Sequence, residues 1–453
     1  MTEPIPLDGL PSGPRRWAVG TIIVAVGMAS LDTSIANAVL PTIAVDLSAT
    51  PAESIWVVNA YQLALVACLL PFASLGEIYG YRRVYSTGLL VFTAASLLCA
   101  MSWSLPTLTL ARVFQGVGAA GIMSVNTALI RFIYPARSLG RAVGLNAMVV
   151  ATFTALGPTV AAGVLLVGSW QWLFAVNVPF GTLAWVFARR FLPATPLASH
   201  RFDLTSAVLN AGTFGLLILG IGEGAHSASW PTTTAVLLGA MVCGAFLVTR
   251  QLGMAAPLLP LDLYRRPLFA LSSLTSICSF TAQGLSFVSL PFYFQTVLGR
   301  SAVETGLLLT PWPVMTGLMA PIAGPLSDRY PPAILGGIGM IVLCTGLGLL
   351  ASLPSEPDTV AIVWRMMICG AGFGFFQSPN LRAIMSAAPP ERSGGASGIV
   401  ATSRLVGQST GAALVALCFG LSALHGPALA LTLAACFAGG AGIASFSRLL
   451  AGR

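Results

Sequence analysis

The chain has 453 residues, of which 56% are hydrophobic and 8% charged, and its 22 basic residues are all arginine. Apolar stretches of about 20 residues recur from end to end, which reads as a polytopic helical membrane protein and excludes an ordinary soluble domain. The lack of lysine excludes ATP hydrolysis at a Walker-type phosphate loop, which requires one.

The tail from Met1 to Pro14 is polar and proline-rich. The first apolar run is too long for a signal-peptide core and has no small-residue cleavage site behind a short hydrophobic region, so it is expected to be kept as the first span. Fourteen runs of spanning length follow one another: 17–40, 54–73, 84–102, 106–130, 142–167, 171–188, 205–223, 232–249, 268–293, 304–325, 333–353, 359–381, 395–421 and 426–446. An even count puts both termini on one side. The tail, the even-numbered loops and the C-terminus carry 18 arginines, among them Arg82, Arg83, Arg189 and Arg190, whereas the odd-numbered loops carry only Arg300. Positive charge stays on the cytoplasmic side, so both termini are expected to be cytoplasmic and the protein to lie in the cytoplasmic membrane. Trp56, Trp103, Trp170 and Trp230 then fall near the outer face, where tryptophan anchors to the interface.

A repeat emerges at an offset of 251–254 residues. Leu75-Gly76-Glu77-Ile78-Tyr79 matches Leu326-Ser327-Asp328-Arg329-Tyr330, Arg112 matches Arg365, and Gly157 matches Gly411. The expected fold is all-α, with two parallel six-helix repeats and two inserted helices. The expected division is a cytoplasmic tail 1–16, a six-helix half 17–192, a linker with two inserted helices 193–253, a second six-helix half with its leading loop 254–446, and a cytoplasmic tail 447–453. Two parallel repeats around a central cavity are a transporter plan.

Asp32 stands out in the first run, being the one acid well inside an apolar stretch. A carboxylate there is expensive unless paired, hydrated or protonated, so it reads as functional. Arg112, Arg365 and Arg404 are charges inside spans; a structural arginine bonded to helix carbonyls is the bland alternative for each. Gly116-Val117-Gly118-Ala119-Ala120-Gly121 has the G-x-G-x-x-G spacing, but it follows no strand and sits in a span. Close helix packing accounts for it better than dinucleotide binding. The eight cysteines lie in apolar runs without CxxC pairs, and the three histidines are far apart. No metal-ligand spacing is present, and no nucleophile–base pair suggests an enzyme.

Polar and aromatic residues at span interiors are the expected substrate lining: Asn59, Tyr61 and Gln62 in span 2, Gln115 and Asn126 in span 4, Phe292, Tyr293 and Gln295 in span 9, Trp312 in span 10, and Gln377 and Asn380 in span 12. Each alone is more often a packing residue. As a set beside one acid they suit an amphipathic cation. Glu77 near a helix end, with Arg82 and Arg83 five and six residues on, can form charge-assisted contacts that latch one face, and Asp328 is its partial second copy.

Leu75-Gly76-Glu77-Ile78-Tyr79-Gly80-Tyr81-Arg82-Arg83 resembles the loop signature of the major facilitator superfamily, with Ala73, Glu77 and Tyr81 departing from it. Leu110 to Gly116 is similar to the family's second motif, whose arginine is tied to proton coupling, here Arg112. Leu156-Gly157-Pro158 to Gly163 resembles the antiporter motif, with Ala161 and Ala162 where two glycines are usual. Leu31 to Pro41 and Trp170 to Gly181 resemble signatures of its fourteen-span drug:proton antiporter group, with Gln171 in place of an arginine. The resemblance implies a multidrug exporter driven by protons. Asp32 would be the carboxylate shared by proton and drug, Arg112 would tune it, and Gly157-Pro158 would seal the halves. A narrow-specificity exporter of one metabolite or antibiotic is the alternative. The expected partners are an amphipathic small molecule and the lipid bilayer, with no nucleic acid, no cofactor beyond the coupling proton, and a monomeric state.

Overall fold

The computed structural model describes residues 9–135, 138–198, 202–223, 230–252, 254, 261–354, 356–388, 393–422 and 425–451. Among them are 14 helices long and apolar enough to cross a membrane, and no strand. The main helix of each span is, in order, α1 Ser12–Asp46, α2 Trp56–Tyr79, α3 Tyr81–Ala100, α4 Leu105–Ile133, α5 Leu139–Val167, α6 Asn177–Phe191, α7 Leu204–Glu223, α8 Trp230–Leu252, α9 Pro267–Phe292, α10 Pro311–Arg329, α11 Pro332–Ala351, α12 Thr359–Ala387, α13 Ser393–Leu421 and α14 Gly426–Ala451, with the sixth span beginning earlier, at Gln171, and the tenth at Ala302. Each coincides with one apolar run. Several outlast it, because backbone hydrogen bonding continues into polar residues beyond the hydrocarbon.

Local chemistry marks the breaks. Thr50 caps the short helix Pro51–Ser54, its hydroxyl accepting from the Glu53 N–H while Glu53 accepts from the Thr50 N–H. Ser301 and Glu304 repeat this capping box at the short helix Ala302–Leu309, which leads into α10. Pro291 removes one backbone donor near the end of α9, and the chain leaves through a π-turn at Tyr293–Val297. Between α2 and α3 there is one residue, Gly80, at φ 97°. A side chain is strained there, which explains a glycine at this point of the loop.

The repeat is a repeat of packing. In the first half α3 packs on α4, α2 on α4, α1 on α5, α3 on α6 and α1 on α6. In the second half α11 packs on α12, α10 on α12, α9 on α13, α11 on α14 and α9 on α14. These are the same five pairings eight helices later. The inserted α7 and α8 pack on each other, and α7 also touches α2 and α13, one helix from each half. At their ends Arg250 pairs with Asp203 at 3.1 Å. Burial works to raise the Asp203 carboxyl, but hydrogen bonds from Arg250 and Ser206 outweigh it and hold the group down at about 2.

The halves meet mainly at the ends that carry the loops α1–α2, α5–α6 and α9–α10. Thr159 and Thr310 share a hydrogen bond of 2.9 Å, and Thr42 donates to Gln295 at 3.5 Å. One apolar cluster runs across these ends, joining Leu40, Ile43 and Ile55 to Phe292, Phe294 and Trp312. The structure is therefore closed on that side.

Candidate functional site

Asp32 lies on α1 with 2% of its surface exposed, and Arg112 lies on α4 with none. The Arg112 Nη1 sits 2.5 Å from the Asp32 Oδ2. Two more donors complete the carboxylate: the Gln115 Nε2 at 2.8 Å and the Asn177 Nδ2 at 2.9 Å, both on Oδ1. Arg112 also donates from Nε to the Val57 carbonyl at 3.0 Å and from Nη1 to Gln115. Gln115 donates onward to Ser96 at 2.9 Å. The ring of Tyr61 lies 4.2 Å from the guanidinium carbon, and that of Phe174 at 5.6 Å. Five helices, α1, α2, α3, α4 and α6, thus close around one ion pair. Buried charges persist only when paired and hydrogen-bonded in this way.

A cavity of about 80 Å³ lies between the halves, lined from α1, α2, α4, α5, α9 and α13. Ala29, Ser30, Thr33, Ser34 and Asn37 face it from α1. Their spacing is that of one helical face, and Asp32 falls off it. Tyr61 belongs to both places: it lines the cavity and covers Arg112. Among the described residues, the one charged side chain lining the cavity is Arg404 on α13, beside Gln283, Gln408 and Gln62. The cavity is smaller than the ~300–1,000 Å³ of a drug-sized pocket. A substrate of that size needs the halves to part.

The structure gathers Asp32, Arg112, Gln115 and Tyr61 into one cluster. It separates Asp32 from the cavity, so the carboxylate is not a direct substrate contact here. Of the eleven expected lining residues, Tyr61 and Gln62 line this cavity, and Gln62 accepts a hydrogen bond from Ser409 across the halves at 3.2 Å. The others have different surroundings. Gln115 serves the ion pair. Asn59 is buried near the start of α2. Asn126 donates to Asn146 at 2.9 Å. Phe292 packs edge-on against Phe419, Tyr293 against Phe294, and Trp312 against the cavity residue Phe287. Gln295 accepts from Thr42. Gln377 is exposed on α12. Asn380 donates to Ser276 and accepts from Arg448, both within the second half.

Gly157 packs against Ser34 of α1, and Gly306 packs on the Pro158 carbonyl and Ala162. The Gly157-Pro158 stretch thus joins α1 to α5, and the next turn reaches the helix leading into α10. At the opposite end, the Glu77 carbonyl accepts from the Ala198 N–H at 2.8 Å, Tyr81 N–H donates to Thr195, and Arg82 donates to the Leu192 carbonyl at 3.4 Å. The α2–α3 loop is bound to the segment after α6. Arg83 is exposed, and the Asp328 side chain lies outside the described residues. Arg365 takes the bland role, donating to the carbonyls of Leu349 and Ala361 and stacking on Trp364. Trp170 is a buried residue donating to Asp46 at 2.7 Å, rather than an interfacial anchor.

Asn177 was not singled out from the sequence, and Arg404 was named there only as a charge inside a span. Asn177 has a signal there, since it stands inside the stretch Trp170 to Gly181 that resembles a group signature. Arg404 has only its charge, and the sequence does not say which way it faces.

Comparison with known proteins places these features. The pattern described as Major Facilitator Superfamily matches residues 22–412. The chain is 55% identical over 441 residues to the uncharacterized transporter YebQ of Escherichia coli K12, covering 95% of this chain and 96% of that one. It is 30% identical to the riboflavin transporter RibZ of Clostridioides difficile, covering 90% of this chain and 89% of the other. To the multidrug resistance protein Stp of Mycobacterium tuberculosis it is 32% identical, covering 86% and 73%.

Proposed function

This chain belongs to the Major Facilitator Superfamily of membrane transporters, and we propose that it exports an amphipathic organic solute from the cytoplasm in exchange for protons. The observation that carries the coupling is the Asp32–Arg112 pair, sealed one residue layer behind the cavity. Both termini are taken as cytoplasmic from the arginine distribution, so the closed side is the outer one. The antiporter-like stretch at Gly157-Pro158 beside the closed end and the likeness to a multidrug resistance protein support the outward direction.

The geometry replaces direct competition at one carboxylate with an indirect lock. Deprotonated Asp32 holds Arg112 and, through Gln115 and Asn177, ties α1, α4 and α6 together. A proton on Asp32 ends the ion pair and releases Arg112, whose other face is covered by Tyr61. Tyr61 lines the cavity, so the proton and the solute bias the same pair of conformations without sharing an atom.

The test uses everted vesicles energised by a proton gradient and a panel of fluorescent amphiphiles of either charge. Asp32→Asn is expected to lower gradient-driven uptake at least tenfold at unchanged expression. Uptake at the wild-type rate in that variant would sink the coupling role of Asp32.

A second reading is export of a single metabolite or antibiotic. It is favoured by the one fixed charge in the cavity, because a site with a set charge position discriminates more sharply than an apolar one. A breadth of one or two compounds in the same panel would support it.

A further inference from the structure

Arg404 carries an inference about what the cavity takes. It stands on α13, inside the candidate span Gly398–Leu421, and lines the cavity. Its Nε is buried and makes no hydrogen bond, and among the described residues it has no ion pair. This contrasts with Arg112, Arg365 and Arg448. Arg112 is matched by Asp32, and Arg365 is bonded to two carbonyls. Arg448, buried near the end of α14, is bonded to Asn380, Ser272 and Ser445. A cation held in the membrane without a partner is expensive and marks a substrate path.

The surroundings have the same character. Ser30 Oγ and Asn37 Oδ1, both on the cavity face of α1, also lack partners. Gln408 donates to Gln283 at 3.1 Å across the cavity wall, so those amides are pre-oriented. The one acid nearby, Asp32, is neutralised by Arg112 behind the wall. The cavity therefore presents one net positive charge, ringed by amides and hydroxyls, with Leu65, Met123, Val150, Phe287 and Leu405 as apolar surface. This is the reverse of what a cationic drug needs.

We infer that the transported solute carries an oxyanion (carboxylate, sulfonate or phosphate) bound by the Arg404 guanidinium, with its apolar body against Phe287 and Leu405. A planar guanidinium with free N–H groups suits such a group, since it can donate two parallel hydrogen bonds. Asn37 and Ser30 would orient the rest of the molecule. The inference rests on the transporter reading above but not on proton coupling.

The test is equilibrium binding to the full chain in phosphatidylcholine nanodiscs, with no gradient present. The probes are 2-naphthoate, 2-naphthalenesulfonate, 2-naphthyl phosphate and the charge-reversed naphthylmethyl-trimethylammonium. Wild type is expected to bind at least one oxyanion tenfold or more tightly than the ammonium. Arg404→Gln is expected to lose that preference, and Arg404→Lys to keep part of it. Tighter binding of the ammonium by wild type would overturn the proposal, as would undiminished oxyanion binding in Arg404→Gln. If Arg404→Gln does not fold, the wild-type preference and the Lys variant decide the matter. Adding phosphatidylglycerol to the discs separates solute from lipid: competitive displacement of the probe would mean that a lipid headgroup is the occupant, which overturns the assignment to a solute. Because binding is read without a gradient, failure here leaves the coupling role of Asp32 standing. Failure of the Asp32→Asn experiment likewise leaves this site standing.

Discussion

Asp32 is held by groups from two other helices, and each donor has a separable role. Arg112 supplies the counter-charge, Gln115 links the pair to Ser96, and Asn177 ties in α6. Removing Asn177 leaves a buried carboxylate oxygen one donor short, a loss of about 1–3 kcal/mol. Asn177→Ala is accordingly expected to lower the thermal unfolding temperature of the purified protein. The loss should shrink when Asp32 is already Asn, because neighbours in one network are not additive. Equal losses in both backgrounds would mean that Asn177 acts elsewhere. At this scale the sequence was legible for Asp32 and Arg112, since charges in an apolar run are visible as such. It was not legible for the lining. Whether a polar residue on a helix faces a cavity or a neighbour is set by its angular position and by which helix lies opposite, as Gln115 and Asn380 demonstrate.

Helices approach closely where glycines lie at the contacts, and the two halves use them in the same way. Gly118 lies against the backbone of Phe92 on α3, and Gly372 lies against the backbone of Leu343 on α11. Gly116 touches the Tyr61 carbonyl, and Gly370 touches the Trp312 carbonyl. The G-x-G-x-x-G spacing is therefore a packing device. A Cβ at position 118 meets backbone, which cannot rotate away as a side chain can. Gly118→Val is expected to cost about 1–3 kcal/mol and to reduce folded protein recovered from membranes, with Gly118→Ala milder. An unaffected yield and unfolding temperature for the valine variant would contradict this packing. The spans themselves were readable because hydrophobic length is a property of a contiguous segment. The π-turn after Pro291 and the closed ends around Thr159 and Thr310 were not, because they depend on contacts between segments far apart in the chain.

The molecule as a whole is symmetric in packing and asymmetric in chemistry. Val150 and Arg404, and likewise Thr154 and Gln408, are 254 positions apart and all four line the cavity. The first half contributes the buried Asp32–Arg112 pair behind the wall, and the second contributes the cavity-lining cation Arg404. This has a consequence for linkage. A proton on Asp32 leaves Arg112 uncompensated behind Tyr61, so an anion at Arg404 is held more tightly, and by reciprocity the bound anion favours protonation. Charge alone therefore draws proton and anion together. Exchange has to come from opposite conformational preferences of the two. The affinity of 2-naphthalenesulfonate, whose charge is fixed, is expected to rise on acidification in the wild type and to stay flat in Asp32→Asn. A flat wild-type profile would mean that the two sites do not sense each other. By itself the sequence determined the fourteen spans, their likeness in two halves, the sidedness of the arginines and the presence of one buried acid, because hydrophobic length, repetition and charge are written along the chain. Only the tertiary structure decided that Asp32 faces Arg112 rather than the cavity, and that Arg404 faces the cavity without a partner. Pairing is a relation between helices, and a charge in the membrane takes its meaning from what lies across from it.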